Sequence, residues 1–235
     1  MIQAQCNPET PTTDLTRLHQ MASRSALASS AVVALMFGIF AATGIGQDPL
    51  QYMHPVPEYT AILLKNPPVL RASIGLDNLF IVLYATMFLG LGAVLWERNR
   101  QRAVLGVALV LLGATAVLDL FENMHFLAMI AAATQGMEVD AGQIGLQVWE
   151  SLVKFHVSYL GLFLLSFVLP RETAVDRALV LLLRWVQLPV GLLIYLTPAV
   201  IAVPLVMARF AFFLVASLMV AHAFRPSRCG SGEPA

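Results

Sequence analysis

Charged side chains are what this sequence has least of. Lys, Arg, Asp and Glu make up 12% of its 235 residues, against about a quarter in an ordinary soluble domain. The few charges balance, fourteen basic against fourteen acidic. A basic surface of the kind that binds nucleic acid is therefore excluded. Cysteine is nearly missing too. Cys6 and Cys229 lie toward opposite ends without ligand spacing, so there is neither a disulfide framework nor a zinc site to read. His-Glu-x-x-His, Gly-x-Ser-x-Gly and a phosphate-cradling glycine loop do not occur. What the sequence has instead is apolar length: 58% of its residues are hydrophobic and its mean hydropathy is +0.76. That composition belongs to membrane proteins and calls for a lipid bilayer as partner.

A membrane helix needs about 20 apolar residues. Six stretches qualify, at 26–46, 74–96, 103–125, 144–169, 175–196 and 199–224. The third has apolar sequence that continues to residue 133. The fold class expected is all-α, a polytopic bundle of six transmembrane helices forming one domain over 25–225. Polar tails at 1–24 and 226–235 are expected to be disordered. A Thr197-Pro198 link makes the last two spans a tight hairpin.

The arginines orient this bundle. Segments on the side of the N-terminus carry Arg17, Arg24, Arg98, Arg100, Arg102, Arg171, Arg177, Arg225 and Arg228, nine in all, against Lys65 and Arg71 opposite. Positive charge marks the cytoplasmic side. The expectation is N- and C-termini in the cytoplasm and a multi-pass place in a bacterial inner (plasma) membrane. The first span exceeds the length of a signal-peptide core and reads as an uncleaved anchor.

The segment 47–71 on the outer side carries Pro49, Pro55, Pro57, Pro67 and Pro68. It reads either as a stiffened connector or as a lid with a short helix near 58–65. An internal echo adds a second pattern. Phe80, Val82, Tyr84, Phe88 and Leu89 recur 75 residues later as Phe155, Val157, Tyr159, Phe163 and Leu164, as a parallel repeat of hairpins would produce. Gly90, Gly92, Gly106 and Gly113 read as close helix contacts.

A charge inside a span costs about 2.5–3.5 kcal/mol on insertion scales and normally faces the bundle interior. On the third span Thr115, Asp119, Glu122 and Asn123 lie within about 100° of helical arc, with His125 about 60° further on. Rising 1.5 Å per residue, Asp119 sits roughly 24 Å up, in the outer third of the core. Asp77 and Asn78 on the second span reach a similar depth. On the fourth, Glu150, Lys154 and Ser158 form a stripe, while His156 points elsewhere. Arg209 falls mid-span on the sixth and is long enough to snorkel outward. The candidate site is therefore Asp77, Asn78, Asp119, Glu122, Asn123, His125, Lys154, His156 and Arg209. The same side chains would equally serve as packing ion pairs, Asp119 with Arg209 or Asp77 with Lys154.

Three functional classes fit. Carboxylates, histidines and a lysine within spans suit binding and translocation of an ion, proton or small molecule. They also suit a membrane-embedded acid–base enzyme acting on a lipid or amphiphile, with no catalytic nucleophile singled out. A metal-dependent enzyme is the variant in which Glu122 and His125, at the i, i+3 spacing, hold a single metal ion. The third class is a non-catalytic assembly factor or subunit, homo-oligomeric or bound to other membrane subunits.

Overall fold

The computed structural model describes residues 13–98, 101–196 and 199–225. The two cysteines, the Thr197-Pro198 link, the first twelve residues and the tail from 226 lie outside them. Among the described residues there is no strand. The helices are α1 (Thr13–Thr43), α2 (Val56–Leu64), α3 (Pro67–Arg98), α4 (Arg102–Thr134), α5 (Ala141–Val168), α6 (Ala174–Leu181), α7 (Leu188–Leu196) and α8 (Ala199–Ala223). Six spans are long and apolar enough to cross a membrane: α1, α3, α4, α5, the continuous run from α6 through α7, and α8. This is the expected six-span, all-helical architecture. At 1.5 Å per residue the longest helices reach about 45–50 Å, beyond a hydrocarbon core of about 30 Å. That is why α1 already begins at Thr13, inside the polar tail, and α3 at Pro67, ahead of its apolar stretch.

Local chemistry sets the helix ends. Asp140 caps α5 by accepting from Gln143 N at 3.0 Å. Thr173 and Asp176 form a reciprocal capping box on α6. Gly44 and Gly136, with φ of 64° and 73°, follow the ends of α1 and α4 in the left-handed conformation that costs glycine nothing. The fifth span widens into a π-helical segment at Leu182–Gln187 before α7. Pro189 follows at once. It lacks an N–H and its ring crowds the preceding turn, which a wider turn relieves.

The spans close into a ring. α1 packs on α3, α3 on α4, α4 on α5, α5 on the π-helical segment and α7, α7 on α8, and α8 back on α1. Gly90 lies against the Ala22 backbone where α1 and α3 meet, and Gly92 against Leu109 on α4. Gly106 and Gly113 have no such close neighbour, so the expected helix contacts form at two of the four glycines. Two apolar clusters hold the ring. One, near the termini, includes Ala22, Met87, Leu91, Leu105, Leu165 and Val220. The other, at the opposite end, joins Phe126, Met129, Ile130 and Ile144 of the bundle to Leu50, Tyr59 and Leu63.

Those last three belong to the proline-rich segment, which folds over that end as a cap. It comprises a 3-10 turn at Asp48–Gln51 and then α2. Its prolines start helices: Pro49 opens the 3-10 turn, Pro55 and Pro57 flank the start of α2, and Pro67 begins α3. At those positions the missing N–H would have had no partner.

Candidate functional site

Between the two apolar clusters lies a cavity of about 150 Å³ walled by α1, the cap, α3, α4, α5, the π-helical segment and α8. Asp77, Asp119, Lys154 and Arg209 all line it. Each carries a stripe position inward from a different helix face, as the cost of exposing a charge to lipid demands.

Lys154 is the centre of the polar cluster. Its side chain is 5% exposed, and Nζ stands 2.6 Å from Asp119 Oδ1 while also meeting Glu122 Oε2. Glu122 is fully buried. Its other oxygen accepts from the Ser151 hydroxyl and from Gln147 Nε2 at 3.3 Å. Asp119 Oδ2 accepts the Tyr84 hydroxyl at 2.5 Å. Among the described residues, no cation stands within ion-pair distance of Asp77. Its Oδ2 accepts from Asn123 Nδ2 at 2.8 Å, and the same amide donates to Asn78 Oδ1 at 2.9 Å. Both amide protons of Asn123 are thus spent aligning the two α3 side chains beside the lysine.

The cap is wired to this cluster. The Tyr59 hydroxyl lies 2.8 Å from Gln147 Oε1 and 3.1 Å from the Leu50 carbonyl. Gln147 Nε2 also donates to Ser151 Oγ at 2.7 Å. A continuous chain of hydrogen bonds therefore runs from the cap through Tyr59, Gln147 and Ser151 to Glu122 and Lys154. Buried and fully connected networks of this kind hold a single geometry.

Arg209 forms a second centre across the cavity. It is 4% exposed. Its guanidinium carbon lies 3.8 Å from the Phe155 ring centroid and 4.9 Å from that of Phe210, a cation–π setting. Asp48 Oδ1 of the cap stands 3.8 Å from Nη2. Burial pushes the Asp48 carboxyl above its ordinary value, with Arg209 pulling it back. The Tyr159 hydroxyl lies near the guanidinium without meeting hydrogen-bond geometry. Tyr159 fits there because residue 191 is glycine: a Cβ at Gly191 would fall against the Tyr159 ring.

The sequence-derived candidates thus divide. Asp119, Glu122 and Lys154 form one hydrogen-bonded cluster, Asp77, Asn78 and Asn123 form a second beside it, and Arg209 faces the same cavity. His125 turns aside, with Nε2 3.4 Å from Glu150 Oε1 and Nδ1 3.5 Å from Gln143 Nε2. His156 is exposed on the outer face of the ring. Its Nδ1 bonds the Leu152 carbonyl at 2.7 Å and its ring packs on Tyr195. The ion pairs differ from those the sequence suggests. Lys154 takes Asp119 and Glu122 rather than Asp77, and Arg209 takes Asp48 rather than Asp119.

Glu122 and His125 do not converge on a metal position. Lys154 captures the glutamate from α5, while the 60° offset sends the imidazole toward Glu150. Among the described residues, no three His, Cys, Asp or Glu side chains are grouped to hold a metal ion.

Asp48, Tyr59, Gln147, Ser151 and Tyr159 escape the sequence reading. Gln147 and Ser151 share the Lys154 face of α5 at i−7 and i−3, a signal present in the sequence but made of uncharged residues. Asp48 and Tyr59 carry no local signal, because only the folded cap brings them in. The echoed pairs Phe80/Phe155 and Tyr84/Tyr159 all line the cavity. The two halves of the echo thus present the same aromatic pattern to one space.

Fold and site together define a multi-pass, all-helical membrane protein with a capped, largely apolar cavity inside its ring of spans that holds a few charged side chains. No protein-family model matches the chain, and no characterised protein or solved structure matches it either.

Proposed function

We propose that this protein binds a small solute in its central cavity and translocates it, with the Lys154 cluster exchanging protons as it does so. One observation carries the reading: three carboxyls, Asp77, Asp119 and Glu122, lie close together beside the cavity of a membrane bundle with a single ammonium among them, Lys154, which pairs with two of the three. With all three ionised, two negative charges go unbalanced. A low-dielectric interior tolerates that poorly, so protons or a cation must make up the difference. A group that must hold protons in one state and can pass them along Tyr84 and Asp119 suits coupling to a proton gradient. A purely structural ion pair would need one carboxylate per lysine.

The capped end is read as outward-facing, on the strength of the arginine bias, with both termini in the cytoplasm of a bacterial inner membrane. The cap then separates the cavity from the outer medium, and the Tyr59–Gln147–Ser151 chain transmits its position to Glu122 and Lys154.

The test is proton flux in proteoliposomes carrying an internal pH dye and driven by an imposed gradient. Wild type is expected to acidify the lumen faster than empty vesicles, and Asp119→Asn to reduce flux to the empty-vesicle rate. Equal flux in that variant overturns the proposal. So does loss of expression and thermal stability in Asp119→Asn with no flux in wild type, the outcome a subunit or assembly role would give.

A further inference from the structure

The cavity contains a receptor for a negative charge that the proton-exchange reading does not use. Arg209 is held by its stem in mid-span, with its guanidinium carbon over the Phe155 and Phe210 rings. Nε and Nη2 lie on the same edge and make the side-on fork that matches the two oxygens of a carboxylate. Both atoms are buried, and neither has a hydrogen-bond acceptor among the described residues. The one anion near them is Asp48 Oδ1, at 3.8 Å from Nη2, and that oxygen is itself buried without a hydrogen bond. The pair is in Coulombic range but not seated in the fork.

We infer that the Arg209 fork is the binding point for the carboxylate of a small apolar acid, and that Asp48 of the cap stands in for that carboxylate while the cavity is closed. The cavity walls are largely apolar, with Met36, Phe37, Phe40, Phe80, Met207 and Phe213 among them. The volume of about 150 Å³ is comparable with an engineered protein cavity known to admit benzene. A ring or short branched chain on a single carboxylate is the matching shape. Guanidinium N–H groups can only donate, so the edge selects acceptors and refuses an ammonium. Exchange of Asp48 for the solute also leaves one carboxylate on one cation, so binding adds no net charge to the bundle interior if the cap withdraws as the solute enters. This names the solute class for the cavity and rests on the proposed function only where it concerns transport. Binding stands by itself.

The experiment is calorimetric titration of the full-length protein in detergent with three probes of one size: benzoate, benzyl alcohol and benzylammonium. Benzoate is expected to bind saturably, and the alcohol and the ammonium about tenfold or more weaker, as loss of a charge-assisted hydrogen-bond pair implies. Arg209→Lys, which keeps the charge but not the fork, is expected to weaken benzoate about tenfold. Asp48→Asn, which removes the resident competitor, is expected to tighten it severalfold. Because Arg209→Lys risks misfolding, thermal melting is run alongside, and the Asp48→Asn arm decides by itself. Preference for benzylammonium, or no gain in benzoate affinity in Asp48→Asn, overturns the inference. Benzoate binding without proton flux would sink the coupling proposal and leave this site standing. Flux without benzoate binding would do the reverse.

Discussion

Lys154 on α5 places its ammonium 2.6 Å from the Asp119 carboxylate on α4, and the same nitrogen meets Glu122 one turn further along. One cation therefore joins two neighbouring spans at two levels, in a region where these side chains are largely buried. The contact is less a gain in stability than a condition for burying these carboxyls at all, since desolvation of a buried pair offsets most of its attraction.

That asymmetry predicts the behaviour of Lys154→Met. Removing the ammonium strands Asp119 and Glu122 without a counter-ion, at a cost of about 3–5 kcal/mol. The detergent-solubilised variant is expected to melt well below wild type. Adding Glu122→Gln to Lys154→Met is expected to restore much of the loss, because it removes one stranded charge and keeps the shape. A double-mutant cycle read by thermal unfolding checks this, and additive losses would contradict it.

Tyr59→Phe breaks the first link between cap and cluster. The ring stays to pack on the Phe126 and Ile130 side of the bundle, and only the hydroxyl bridge to Gln147 and Leu50 is lost. The cost is about 1–2 kcal/mol, felt mainly by the cap. Amide exchange over residues 48–64 is expected to quicken while the middle of α4 keeps its protection. Unchanged exchange in the cap would show that apolar packing alone holds it.

Asp48 gives the cap a pH dependence whose sign can be worked out. Burial raises its carboxyl above the ordinary value of 3.8, so in the window just above 3.8 the folded protein holds a proton that the unfolded chain releases. Stability from this group is present below that window and is lost as pH rises through the raised value. Asp48→Asn stays neutral throughout and is expected to flatten this part of the melting-temperature profile. A profile with the same slope in wild type and variant would remove Asp48 as its source.

The orientation has a direct check. In a background with Cys6 and Cys229 replaced, a cysteine at Lys65, beside α2, is expected to react with a membrane-impermeant maleimide added to intact cells. One at Glu172, between α5 and α6, is expected to react only after lysis. The reverse pattern would invert the arginine-based assignment and turn the cap to the cytoplasm.

The candidate site was partly legible in advance because burying a charge in a membrane is expensive. Asp77, Asp119, Glu122 and Lys154 stood out by being charged in apolar runs, and helical periodicity put them on inward faces. Their pairing did not follow. Lys154 has Glu150 one turn away on its own helix, the favourable order for an ion pair, yet the ring packing of α4 against α5 gives it Asp119 and Glu122 instead. His125 and His156 shared the depth of the site but not its direction, since depth comes from counting residues whereas direction depends on which helices are neighbours. Asp48 and Tyr59 were invisible because nothing local distinguishes a cap side chain that reaches a cavity from one that faces solvent.

The sequence by itself determined six apolar helices and the few polar residues each must hide, because hydrogen-bond satisfaction in lipid and the cost of exposed charge act on each segment separately. Only the tertiary structure decided that the spans close into a ring, that the proline-rich segment caps one end, and that Lys154 and Arg209 face one cavity with different partners. Those outcomes depend on which helix packs beside which, a choice made by side-chain fit between segments far apart in the chain.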